Sequence, residues 1–77
     1  MNAAQSKMAR AATGLGVREL AEAAGVSPNT VARLERGETL REQTVDAIRA
    51  ALEVAGVEFI AANGGGAGVR LRKEQAT

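Results

Sequence analysis

Over the first two thirds of the chain, apolar and small residues recur at spacings of three and four, and in the last third they alternate with polar ones. That change of period predicts helices followed by strands. Residues 3–13 (AAQSKMARAAT) are rich in Ala and follow Asn2, a residue that can cap a helix start. Their inward stripe is small, Ser6, Ala9 and Thr13, with Met8 at its edge. Gly14 and Gly16 bracket Leu15, which predicts a stop at Gly14 and an apolar plug at Leu15. A second helix is expected over 17–24, with Val17, Leu20, Ala21 and Ala24 inward and Arg18, Glu19 and Glu22 outward. Gly25 ends it. Ser27-Pro28 then starts a third helix, because Ser caps free amides and Pro suits the first helical position. That helix runs to about Arg36, with Val31 and Leu34 inward, Asn29, Thr30 and Arg33 outward, and Pro28 at its tip. Gly37 closes it. Residues 38–41 connect to a fourth helix at 42–55, whose stripe is Val45, Ile48, Leu52 and Ala55, and Gly56 stops it.

The tail reads differently. Residues 57–61 and 69–72 alternate around Asn63-Gly64-Gly65-Gly66 and Gly68, a pattern that predicts a β-hairpin or two paired strands. Two isolated strands are marginal in water, so these are expected to pair with a second copy of the chain. Val57, Phe59, Ile60, Val69 and Leu71, with the adjacent end of the fourth helix, would form that dimerisation surface. The expected fold is mainly α: a four-helix domain over residues 1–56, then a hairpin over 57–77 as the dimerisation element. Composition adds weight to the partner. Of 35 hydrophobic residues among 77, 17 are Ala, leaving 18 larger apolar side chains. For so short a chain, burial at about 25 cal/mol/Å² roughly cancels the ordering entropy, and further burial in a homodimer is the simplest remedy.

Composition also removes most chemistry. The chain has no His and no Cys, the usual ligands of zinc, haem and iron–sulfur sites and the commonest general base and thiol nucleophile. Neither an enzyme nor a cofactor is therefore expected. Ser6 and Ser27 have no His partner, and Lys7 and Lys73 are not expected to be desolvated in so small a fold. The Gly-rich segment 64–68 lacks the Gly-Lys-Ser/Thr ending and following helix of a phosphate loop, and reads as a turn. No apolar run approaches 18 residues, so no membrane span or secretory segment is expected, and the cytosol is the expected compartment. Net charge is only +1, but residues 1–37 carry +2 and residues 38–77 carry −1. Placement, not total charge, must identify a partner.

The informative feature is the pair of short helices at 17–24 and 28–36, joined by a very short turn containing Gly25. In a helix-turn-helix the second helix is exposed and fits the DNA major groove. From Gly14 to Glu38 the run GLGVRELAEAAGVSPNTVARLERGE resembles the Cro/C1 repressor-like helix-turn-helix family, the xenobiotic-response-element type whose domains have a lambda-repressor-like fold. Arg10, Leu20-Ala21, Gly25, Val31 and the ending Leu34-Glu35-Arg36-Gly37 match in one register, over roughly residues 5–55. The tail is similar to that of small regulators in this family from proteobacterial genomes and mobile elements.

The resemblance implies a homodimer on a double-stranded DNA operator with two related half-sites, usually repressing transcription, often of its own gene. It implies base reading by Pro28, Asn29, Thr30 and Arg33. Their chemistry agrees: Arg can give two hydrogen bonds to guanine, Asn can pair with adenine, and a Thr methyl can touch a thymine methyl. Phosphate contacts fall on Gly16, Val17 and Arg18 at the start of the second helix, where free amides suit an anion, and on Arg36, Thr39, Arg41 and Gln43. Arg10 and Glu35 occupy positions that form a structural ion pair in the family. Family members often carry Ser, Thr or Asn in place of Gly16 and Gln in place of Val17 and Pro28, so two polar contacts are missing here. Glu38 lies near the implied phosphate path and would repel it unless turned away. Other roles compete: Arg18 can pair with Glu22 at i+4, Arg36 can complement the end of the third helix, and Arg70, Arg72 and Lys73 can form a solvated strand face. No small-molecule ligand site is evident. The alternative function is a protein-interaction module of the same fold, an antiactivator or antitoxin that masks a protein partner.

Overall fold

The structure, a computed structural model, describes residues 1–62 and 64–72; the predicted turn residue Asn63 and strand-end residue Lys73 fall outside them. It has four helices, α1 (Ala3–Thr13), α2 (Val17–Ala24), α3 (Pro28–Glu35) and α4 (Glu42–Val54), followed by β1 (Val57–Ile60) and β2 (Gly68–Leu71). The architecture is mainly helical with one antiparallel hairpin.

Local chemistry sets each boundary. At the start of α1, Asn2 Oδ1 accepts from the Gln5 amide at 2.8 Å and Gln5 Oε1 accepts from the Asn2 amide at 2.9 Å, a reciprocal capping box. The α2–α3 corner turns on Gly25 at φ 72, a left-handed conformation that costs a residue with a Cβ about 1–2 kcal/mol. Val26 N–H then reaches back to the Ala21 carbonyl at 3.0 Å, and Ser27 Oγ accepts from the Thr30 amide at 3.1 Å to open α3. The fourth helix ends one residue short of the predicted stretch, and Ala55 is exposed rather than part of the buried stripe.

Every element contributes to one core. Ala9, Leu20, Ala21, Val31, Leu34, Ile48, Leu52 and Val57 are buried, ringed by half-buried neighbours that include Leu15, Val17, Leu40, Val45, Phe59 and Val69. Leu15 therefore does fold back onto the core.

The hairpin pairs Val57 with Leu71 and Phe59 with Val69, and it packs against α1 and the end of α4. Here one member of the expected dimerisation set is corrected. Val57 is fully buried in the chain's own core, because the turn at Gly56 brings β1 back against α4 and α1. Phe59 and Val69 also pack on that core, and the strands find their partners within the chain. Among the described residues, the large apolar side chains left exposed at this end are Val54 (85%), Leu71 (54%) and Ile60 (38%). On the outer face Arg70 Nη2 meets Glu58 Oε2 at 3.3 Å.

A buried glutamine ties the hairpin down. While its oxygen caps α1, Gln5 Nε2 donates to the carbonyls of Ile60 (3.2 Å) and Gly68 (3.0 Å). One side chain thus joins the first helical turn to both strands at their turn end.

Candidate nucleic-acid interface

The α3 helix has two unlike sides. Inward, Val31 and Leu34 are buried and Glu35 is nearly so. Outward, Pro28 and Asn29 are exposed, Thr30 is half-buried with its hydroxyl 2.8 Å from that of Ser27, and the Arg33 side chain is 43% exposed. Among the described residues no segment of the chain crosses this outward side.

Behind it, an ionic network anchors α3 to α1. Arg10 reaches Glu35 through Nε (2.9 Å to Oε2) and Nη2 (2.7 Å to Oε1), and Ser6 Oγ donates to Oε2 at 2.6 Å. Burial pushes the Glu35 carboxyl up, but the hydrogen bonds from Arg10 and Ser6 and the charges of Arg10 and Lys7 outweigh it. The group is held below the ordinary glutamate value. Arg10 is raised, chiefly by its hydrogen bonds to Glu35. Such a pair fixes the orientation of α3 more than it adds stability.

The implied phosphate contacts surround the bare side unevenly. An open groove runs between α3 and the start of α4, lined by Thr30 and Arg33 on one side and Thr39, Arg41 and Thr44 on the other. A second depression brings Arg18 on α2 beside Pro28. Gln43 is exposed in the first turn of α4 but lines neither. The Val17 side chain is committed to the core, so it offers a partner its backbone alone. At Gly16, the N-cap of α2, the Glu19 carboxylate lies close enough to clash with an added Cβ. Arg18 forms no ion pair with Glu22 among the described residues. Thr44 is the groove residue that sequence reasoning missed; its signal was a hydroxyl in the first turn of α4.

Glu38 behaves differently from expectation. It neither turns away nor stands unpaired: Oε1 accepts from Arg33 Nε at 2.9 Å, and Oε2 accepts from Arg36 Nη2 at 2.8 Å and Nε at 3.2 Å. Hydrogen bonds from Arg33 and then Arg36 hold its carboxyl below the usual range, so it is ionised at neutral pH. Arg36 is the C-cap residue of α3, with its guanidinium turned to Glu38.

Chemically the surface offers donors and a methyl group rather than a nucleophile. The Arg33 amino groups, the Asn29 amide and the Thr30 hydroxyl match the acceptors and donors on base edges in a major groove. No helix is long and apolar enough among the described residues to cross a membrane.

No curated protein matches the chain. A family model described as a helix-turn-helix domain matches residues 3–60, from the first turn of α1 to the last residue of β1. With the α2–α3 corner and the bare outward side of α3 at the centre of that match, the chain belongs to the helix-turn-helix domain family, a DNA-binding fold.

Proposed function

We propose that the protein is a sequence-specific transcriptional regulator of the Cro/C1 type that binds a two-half-site operator as a homodimer and represses by occupancy. The carrying observation is the two-sided α3: its inner side is pinned by Val31, Leu34 and the Arg10–Glu35 pair, while on the outer side Asn29 is exposed and Thr30 and Arg33 are partly so. In this reading Pro28, Asn29, Thr30 and Arg33 meet base edges. The α2 start at Gly16, Val17 and Arg18, together with Thr39, Arg41, Gln43 and Thr44, meets phosphates.

Size supports two copies. One protomer measures 31 × 30 × 19 Å, a size compatible with two copies whose α3 helices sit roughly 34 Å apart, one duplex turn. In this reading the shared surface lies at the α4–hairpin end, supported by the thin core and the exposed Val54 and Leu71, with Ile60 at its margin.

Selection of bound duplexes from a random-sequence pool tests this reading. An enriched sequence with two related half-sites, bound with an affinity that falls steeply as salt rises, is the expected result. No enrichment, a salt-insensitive interaction and a co-purifying protein partner would instead identify an antiactivator or antitoxin.

A further inference from the structure

The Glu38 side chain is placed by the backbone before any ligand arrives. Gly37 takes φ 91, and the chain doubles back over the end of α3. Gly37 N–H bonds the Leu34 carbonyl at 3.0 Å and Glu38 N–H bonds the Arg33 carbonyl at 3.1 Å, a Schellman closure. The return brings the Glu38 carboxylate against the two arginines of the last turn and divides it between them. Oε1 takes only the Nε–H of Arg33, while Oε2 takes Nε and Nη2 of Arg36.

That division matters because guanidinium carries five N–H donors in a rigid plane. Gripped at Nε alone, Arg33 keeps both terminal amino groups, the pair that can span the O6 and N7 acceptors of one guanine. Arg36 turns its Nε–Nη2 edge to Glu38, and although three N–H donors remain, a phosphate cannot take that edge without displacing the carboxylate. Resting on the proposed DNA reading, we infer that Glu38 is a positioning residue that sets sequence specificity: it holds Arg33 edge-on to the base pairs and withholds Arg36 from the backbone.

The two actions bear on different quantities: the first raises discrimination between sequences, and the second lowers affinity for any duplex. An arginine ordered beforehand loses less side-chain freedom on meeting its base. A carboxylate among the donors weakens the sequence-independent attraction to phosphate. Exposed ion pairs of this kind add little to stability, and the arginine side chains are 43% and 58% exposed. Glu38→Gln should therefore leave the fold intact.

The test compares the full chain, Glu38→Gln, Arg33→Ala and the double variant on two probes. One probe is a duplex enriched by the parent chain from a random pool, and the other is a shuffled duplex of the same length and composition. With Glu38→Gln the shuffled duplex should bind about fivefold tighter, with a log K against log salt slope steeper by about 0.9, as for one added phosphate contact. The ratio of enriched to shuffled affinity should fall about tenfold, within the worth of one bidentate base contact. In the Arg33→Ala background Glu38→Gln should no longer change that ratio. An unchanged or higher ratio in Glu38→Gln, or an equal fall with and without Arg33, overturns the proposal. The free protein gives a reading that needs no DNA: Glu38→Gln should shift the Nε–H resonances of both Arg33 and Arg36, and an unmoved Arg33 signal refutes the grip itself. If Arg33→Ala alone leaves the ratio unchanged, or the pool yields no enrichment, the DNA reading of α3 fails and this inference falls with it.

Discussion

Replacing Arg10 with Met probes how α3 is held. The change removes three hydrogen bonds to Glu35, Nε to both carboxylate oxygens at 3.2 and 2.9 Å and Nη2 to Oε1 at 2.7 Å, leaving Ser6 as the remaining partner. Breaking a fully buried pair costs about 3–5 kcal/mol. Glu35 is 7% exposed but Arg10 is 24% exposed, so solvent relieves part of the loss, and about 2–3 kcal/mol is expected. A domain of this length has roughly 4–11 kcal/mol in all, so the effect is large. Its pH dependence is diagnostic. In the parent chain Glu35 is depressed below its ordinary value of 4.5, so its contribution is complete above that value and is lost as pH falls through the depressed one. Without Arg10, burial raises the Glu35 pKa, and the variant gains stability as acid protonates the stranded carboxylate. The gap between the two proteins should therefore narrow on acidification from neutral pH. Urea unfolding followed by far-UV circular dichroism measures it, since the chain has no Trp or Tyr. Protein concentration must be matched, because association shifts apparent stability. Arg10→Met with Glu35→Leu should recover most of the loss. A cost below about 1 kcal/mol, or a gap that does not change with pH, would refute the reasoning.

Three further outcomes are expected. Gln5→Ala removes the donor to the Ile60 and Gly68 carbonyls; it should cost about 1–3 kcal/mol and speed amide exchange in the hairpin ahead of the helices. Leu71→Glu, at an exposed position, should leave circular dichroism unchanged and shift sedimentation from dimer to monomer, whereas Val57→Ala should cost about 2 kcal/mol through the core. A dimer untouched by Leu71→Glu and by Val54→Glu would remove the α4–hairpin end from the interface. Gly25→Ala should cost about 1–2 kcal/mol through its left-handed φ alone, since nothing stands within 4 Å of the added carbon.

Much of the helical architecture is local and therefore legible. Asn2, Ser27-Pro28, Gly25 and Gly37 mark boundaries by their own conformational chemistry, and the periods of α2, α3 and α4 point Leu20, Val31, Ile48 and Leu52 inward. What was not legible depends on contacts distant in sequence. Nothing local marks Gln5 as a tie: its two carbonyl partners lie 55 and 63 positions away. Alternation predicts a strand at Val57 but not that its face belongs to the protein's own core. Glu38 illustrates a third case: its partners are near in sequence, yet only the reversal at Gly37 brings its carboxylate against Arg33 and Arg36. In the groove, Thr44 needed the fold to bring α4 beside α3.

The account stands or falls on whether the outward side of α3 reads base edges. Its direct measurement is the affinity of Arg33→Ala for an enriched duplex and for its shuffled counterpart, at one salt concentration. Loss of about 1–3 kcal/mol on the enriched duplex, with a much smaller loss on the shuffled one, is the predicted result. Equal losses on both would contradict it, leaving Arg33 as one more surface charge.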